Sequence, residues 1–284
     1  IRDSRWHHHV YADTKWGAVR IAMGHKEPFD LRYIAIGNEQ WQSEYHQHYQ
    51  QFVKAFEEAA ASDPELYGGI ELIVANGTVS ESEDGWNYLI LNPDSVTTLV
   101  DEHYYQMPEW FLENTDRYDS YDRDFQAKVF LGEYAAKANT MDAALAEAAF
   151  MTGLEKNGDV GEMACYAPLL AHVKLNQWVP DLIFYSNDSI FGSVNYYVQQ
   201  LFSVNAGRIS LPAELTGIPE GSVFESASVD ENGDLILKLV NVTGEENTLH
   251  ILVDGAEQFE TQAEVTVLCG ADAKAANSME NRVV

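Results

Sequence analysis

Two short runs constrain this chain more than anything else in it. Tyr33-Ile34-Ala35-Ile36 is apolar at consecutive positions and ends in Gly37-Asn38-Glu39. Lys128-Val129-Phe130-Leu131 repeats the form and ends in Gly132-Glu133. A strand that is apolar on both faces has to be covered on both faces, which is the situation of a parallel sheet between helices. Between the two lies Leu99–Tyr105, a third run that closes on Asp101-Glu102-His103-Tyr104-Tyr105. Gly-Asn-Glu alone is equally a turn that uses Gly and Asn for backbone reasons. Its recurrence as Gly-Glu after a second strand favours a site, because chemistry in a (β/α)8 barrel is done at the carboxyl ends of strands.

The rest of the chain fits units of that kind. Ser43–Ser62 is an amphipathic helix, with Tyr45, Tyr49, Phe52, Val53 and Phe56 at helical spacing and Asp63-Pro64 as its stop. Gly69–Ala75 and Val160–Tyr166 read as further strands. Pro108–Thr115, Met141–Leu154 and Asn195–Val204 read as helices. Asp13–Phe29 has the look of loop and turn, and Trp86–Leu91 is poorly patterned. Trp178–Phe184 and Asn187–Gly192 form a long loop on the active-site face. From about Gly207 the pattern changes to alternating runs at 222–229, 234–241, 247–253 and 264–268, parted by Asp/Asn/Gly turns. That spacing predicts an antiparallel sandwich. The expected domains are therefore residues 1–207 and 208–284.

Composition excludes more than it identifies. A formal charge of −28 repels phosphate backbones, so nucleic acid is not an expected partner. No run is long and apolar enough for a membrane span. The two cysteines, Cys165 and Cys269, stand far apart in apolar surroundings and are expected to be buried free thiols. His46 and His48 are expected at the surface. His7-His8-His9 is the one metal-like run, but consecutive side chains diverge, so no metal and no cofactor is expected. The compartment cannot be read from the chain, although a secreted or periplasmic setting is compatible with it.

Longer motifs permit a comparison. DTKWGAVRIAMGHKEPFDLRYIAIGNEQW, DEHYYQMPEWFLENTDRYDSYDR, KVFLGEYAAK and MACYAPLLAHV, with WVPDLIF and NYYVQQLFS in order, resemble the α-L-arabinofuranosidases of glycoside hydrolase family 51. The resemblance implies an α/β TIM barrel, here strands four to eight, followed by a jelly-roll-like β-sandwich. It implies retaining hydrolysis of arabinose-containing polysaccharide or oligosaccharide. By resemblance Glu39 is the general acid/base and Glu133 the nucleophile, while Asn38, His103, Tyr105 and Trp178 bind substrate. Family members are often homo-oligomers, but no interface can be read here. The chain opens just before strand four, so an N-terminally incomplete barrel is expected, with both glutamates kept and the furanose pocket not complete.

Two other readings compete. Another clan A glycosidase, an endoglucanase or xylanase, would share the Gly-Asn-Glu and the later strand-end Glu. A truncated, non-catalytic carbohydrate-binding fragment would follow from the missing early strands.

Overall fold

The computed structural model describes residues 14–27, 29–255, 262–270 and 272–282. The His7–His9 run lies outside the described residues. Two compact units divide the chain. The first runs to Tyr104 and adds Asp122–Gly132 and Glu162–Ala164; the second takes Tyr105–Tyr121, Glu133–Gly161 and everything from Cys165.

A five-stranded sheet organises the first unit, although residues 105–106, 133–136, 161 and 165–166 of its strands belong to the second. Its strands β1 (Tyr33–Ile36), β2 (Glu71–Ala75), β3 (Thr97–Gln106), β4 (Lys128–Ala136) and β5 (Gly161–Tyr166) lie side by side in chain order. β1 pairs with β2 and β2 with β3 in parallel, with Tyr33 opposite Glu71 and Ile73 opposite Leu99. Helices α2 (Gln42–Ser62), α3 (Pro64–Tyr67) and α4 (Asp84–Leu91) make these connections. The inner strand β2 is almost wholly buried, while β1 and β5 at the sheet edges are partly exposed. Tyr45, Tyr49, Val53 and Phe56 of α2 pack with Leu72, Val74 and Val100, as expected of that helical stripe, whereas Phe52, expected with them, is exposed because it lies at the edge of the stripe. Asp63 ends α2 and caps α3, accepting from Leu66 N at 3.2 Å, with Pro64 in the first turn. At the start of β1, burial and then Glu162 of β5 raise the Tyr33 pKa. The two edge strands therefore come near one another, as a curling sheet requires.

Several expectations need correction. Asp13–Phe29 contains helix α1 (Lys15–Ala22), whose Thr14 cap accepts from Gly17 N at 3.2 Å. Trp16, Val19 and Ile21 of α1 are exposed, so the helix carries no apolar stripe to reveal it. Trp86–Leu91 belongs to α4, where Ile90 and Leu91 face solvent and blur the periodicity. His46 is not a simple surface residue: its ring is tilted against that of Tyr88, with centroids 4.9 Å apart, and lies 3.2 Å from Asp84. Cys165 and Cys269 are exposed rather than buried. Cys165 lies on β5, which pairs on one side only among the described residues.

In the second unit, α5 (Pro108–Glu113) and a 3₁₀ turn at Arg117–Ser120 precede the long helix α6 (Met141–Lys156). The segment 178–192 is not all loop. β7 (Ile183–Tyr185) and β8 (Ile190–Gly192) pair with β6 (Leu170–His172) in a small sheet of order β6-β7-β8. Helix α7 (Val194–Val204) packs Val194, Val198 and Phe202 on Met141, Ala144 and Ala148 of α6. Small alanines let the two helices approach closely. The final sheet joins β9 (Ile209–Leu211), β10 (Val223–Val229) and β11 (Leu235–Asn241), antiparallel throughout. It is tied to α6, since Glu155 accepts from Ser226 Oγ at 2.6 Å and pairs with Lys238. The described residues of 247–253 and 264–268 form no strand, against expectation. Asn247 and Glu264 begin runs whose side chains are largely exposed, so alternation there had no buried face to serve.

Candidate active site

The site is built from strand ends. β1 stops at Ile36, and Gly37 turns the chain with φ 87°. Glu39 follows with φ 48°, a left-handed conformation unusual for a residue with a side chain, and such a position costs of order 1 kcal/mol. The surroundings hold it there. Tyr45 Oη donates to Ile36 O at 2.7 Å and accepts from Ala75 N at 2.9 Å, fastening the ends of β1 and β2. Burial pushes the Tyr45 phenol up to about 12, so it stays a donor. Gln42 N donates to Asp84 Oδ2 at 2.6 Å and fixes the far side of the turn.

His103 meets Glu39 from β3. Its ring is buried, with Nδ1 3.1 Å from Glu39 Oε1 and Nε2 3.3 Å from Asp101 Oδ1. The second contact is electrostatic rather than a formed hydrogen bond, because Asp101 Oδ1 has no aligned donor among the described residues. An imidazole between two carboxylates holds Glu39 in place. Asp101 is a residue that the sequence reading passed over. So is the reason for Gly132. This glycine does not end a strand, since β4 continues through Glu133 to Ala136. A Cβ at Gly132 would lie 2.1 Å from Asp101 Oδ1, so the carboxylate occupies the space a side chain would need. The intervening Glu102 is buried on another path, accepting from Trp86 Nε1 at 2.7 Å and from Tyr104 Oη.

The second unit holds the other carboxylate. Tyr105 Oη donates to Glu133 Oε2 at 2.6 Å. A hydroxyl aimed at one oxygen orients the carboxylate. Trp178 sets its ring edge-on to Tyr105, with centroids 5.9 Å apart, and half of it is exposed. His103 and Tyr105 are two positions apart on β3, so both point to one side of the strand. Of the residues expected at the site, Glu39 and His103 are together in the first unit, and Glu133, Tyr105 and Trp178 in the second. Asn38 is exposed beside Glu39.

Comparison with known proteins identifies the family of the chain. The profile of the alpha-L-arabinofuranosidase C-terminal domain matches residues 118–284, and that of the alpha-L-arabinofuranosidase 1 domain matches residues 6–123. The chain belongs to the α-L-arabinofuranosidases of glycoside hydrolase family 51. An extracellular exo-alpha-L-arabinofuranosidase of Streptomyces chartreusis is 44% identical over 216 residues, which are 74% of this chain and 25% of that protein. Alpha-L-arabinofuranosidase 2 of Arabidopsis thaliana is 32% identical over 278 residues, covering 95% of this chain and 39% of that protein. The solved structure of an arabinose-bound family 51 α-L-arabinofuranosidase superposes with a TM-score of 0.65 at 30% identity, over 84% of this chain and 38% of that one. The chain thus spans about a quarter to two fifths of the relatives it matches. Its mixed α/β architecture accords with the barrel and sandwich of the family. No described helix is long and apolar enough to cross a membrane.

Proposed function

We propose that this family member releases terminal α-L-arabinofuranosyl residues from arabinoxylan, arabinan or their oligosaccharides with retention of configuration. β1 to β5 stand for barrel strands four to eight, and residues 208–284 for the sandwich domain. Glu39 protonates the leaving oxygen and Glu133 attacks the anomeric carbon; Glu39 then activates water for the second displacement. The observation that supports this most is the pair of contacts on one strand, His103 to Glu39 and Tyr105 to Glu133. Two residues on one side of β3 each serve a different carboxylate, as a reaction needing two carboxylates in two roles requires. Asn38 is placed to bond a sugar hydroxyl, and the exposed Trp178 ring to stack on a sugar face.

Variants compared in the longest natural form of the protein test the assignment. Glu133→Ala is expected to abolish turnover on every substrate. Glu39→Ala is expected to spare the first step on aryl arabinofuranosides with weakly basic leaving groups, and azide is expected to restore the second. Equal losses on activated and natural substrates, without azide rescue, would remove Glu39 from the role. Hydrolysis of cello- or xylo-oligosaccharides in preference to arabinofuranosides would replace the substrate assignment. The same panel run on residues 1–284 alone measures whether this length suffices.

A further inference from the structure

Asp101 is a buried carboxylate to which the double displacement gives no role. It stands on β3 opposite Ala75 of β2, and its backbone carbonyl accepts from Asn76 N at 3.0 Å. The sheet thus fixes its backbone on one side. On the other, Gly132 leaves the room that its side chain fills, since an added Cβ there would lie 2.1 Å from Asp101 Oδ1. From this place Oδ1 lies 3.3 Å from His103 Nε2, while the other ring nitrogen, Nδ1, lies 3.1 Å from Glu39 Oε1. Glu39, Asp101, His103 and Gly132 all belong to the first unit. One buried imidazole therefore stands between two carboxylates, and only one of the two has a part in the chemistry.

Counting protons shows what the other does. A carboxylate oxygen facing an imidazole nitrogen needs a proton on one of the two atoms, and the imidazole is the stronger base, so Nε2 carries it. The contact does not have to be well aligned for this, because the charge of Asp101 favours a proton at the nearer nitrogen. With Nε2 protonated, the bond between Nδ1 and Glu39 Oε1 holds a second proton, on one atom or the other. That second proton is free to leave, since the imidazole it leaves behind is neutral. Without the carboxylate, a ring whose single proton is on Nδ1 still bonds to an ionised Glu39. Giving up that proton would create an imidazolate, so it stays. We infer that Asp101 is a positioning residue for the acid step: by holding His103 in the Nε2–H form, it keeps a transferable proton between His103 and Glu39. The inference rests on Glu39 being the acid/base. In the first displacement this proton passes to the leaving oxygen as the glycosidic C–O bond breaks and Glu133 bonds to the anomeric carbon. In the second, a proton of the attacking water returns to the pair as the water oxygen displaces Glu133.

Asp101→Asn, made in the longest natural form of the protein, keeps the shape of the side chain and removes its charge. The amide donates to Nε2 and turns the ring to the Nδ1–H form, which leaves Glu39 ionised with no proton to give. An ionised Glu39 still takes a proton from water, so the second step is spared. On arabino-oligosaccharides kcat/KM is expected to fall about 100-fold or more, and on an aryl α-L-arabinofuranoside with a weakly basic leaving group less than about tenfold. Azide is expected to bring no gain, which separates this variant from Glu39→Ala. Equal losses on the two substrates, a loss that azide restores, or unaltered hydrolysis of the oligosaccharides would each overturn the inference. Nitrogen NMR of isotope-labelled histidine, with the His103 signals assigned by their absence in His103→Asn, reads the ring without activity. At neutral pH, Nε2 is expected to carry a proton in the natural sequence and to be bare in Asp101→Asn. A bare Nε2 in the natural sequence, or a ring that Asp101→Asn leaves as it was, would overturn the inference even in an active enzyme. The expected change of the ring in a protein inactive on all arabinofuranosides would support the hold of Asp101 on His103 and sink the glycosidase reading instead.

Discussion

Tyr105 shows how much one hydroxyl can carry. It donates to Glu133 at 2.6 Å, and its ring edge meets Trp178. Tyr105→Phe keeps the ring and removes only the donor. Hydrogen bonds to a charged group contribute about 1.5–3 kcal/mol, so kcat/KM on an aryl arabinofuranoside should fall roughly 10- to 100-fold with little change in unfolding temperature. Unaltered kcat/KM would mean that the hydroxyl does not orient the carboxylate. At this scale the sequence pointed to Glu39, Glu133, His103 and Tyr105, because each follows an apolar run. It was silent about Asp101 and Gly132, whose relation needs neighbouring strands in register. Glu147 was also hidden: a glutamate in an Ala-rich helix looks solvated, and only the packing of α6 against β4 and α7 shows it buried.

Elements were legible where one face had to be buried. The β1, β2 and β4 runs and the stripe of α2 meet that condition, and the structure has them at the expected places. Helix α1 depends on its Thr14 cap, and α4 on the turn around Asn76, whose Oδ1 accepts from Gly85 N at 2.9 Å. Neither signal is periodic. β7 and β8 are three residues each, too short for alternation to show. Close packing of elements can also invert a propensity argument. Gly153 is inside α6, where Ala would ordinarily gain about 1 kcal/mol of helix stability. Here an added Cβ would lie 1.8 Å from Thr115 O, a backbone atom that cannot swing aside. Gly153→Ala should therefore destabilise by about 1–3 kcal/mol or more, read by thermal or denaturant unfolding. A more stable variant would show that α6 is free to shift away from the segment carrying Thr115.

For the molecule as a whole, pH is the variable that reports on these buried groups. The chain carries a formal charge of −28, so self-repulsion already acts against the folded state. On the acid side, burial opposes ionisation of Asp142, but its bonds from Lys274 and Thr140 outweigh that and lower its pKa. Its contribution is present above the unfolded value of 3.8 and is lost as pH falls through the lower folded value. Glu147 acts in the opposite sense. Its folded pKa of about 8 lies above the ordinary value of 4.5, so the folded chain holds a proton that the unfolded chain has released. Stability from this group is whole below the lower value and falls by about 1.4 kcal/mol per pH unit until the upper one is passed. Unfolding temperature should thus decline steadily from about pH 5 to 8, and Glu147→Gln should flatten that decline. Salt separates this from general repulsion. At roughly 1 M ionic strength surface charges are screened within about 3 Å, whereas the cost of charging a buried acid remains. A slope that disappears in high salt, or one that Glu147→Gln leaves in place, would assign the decline to net charge rather than to this one carboxyl.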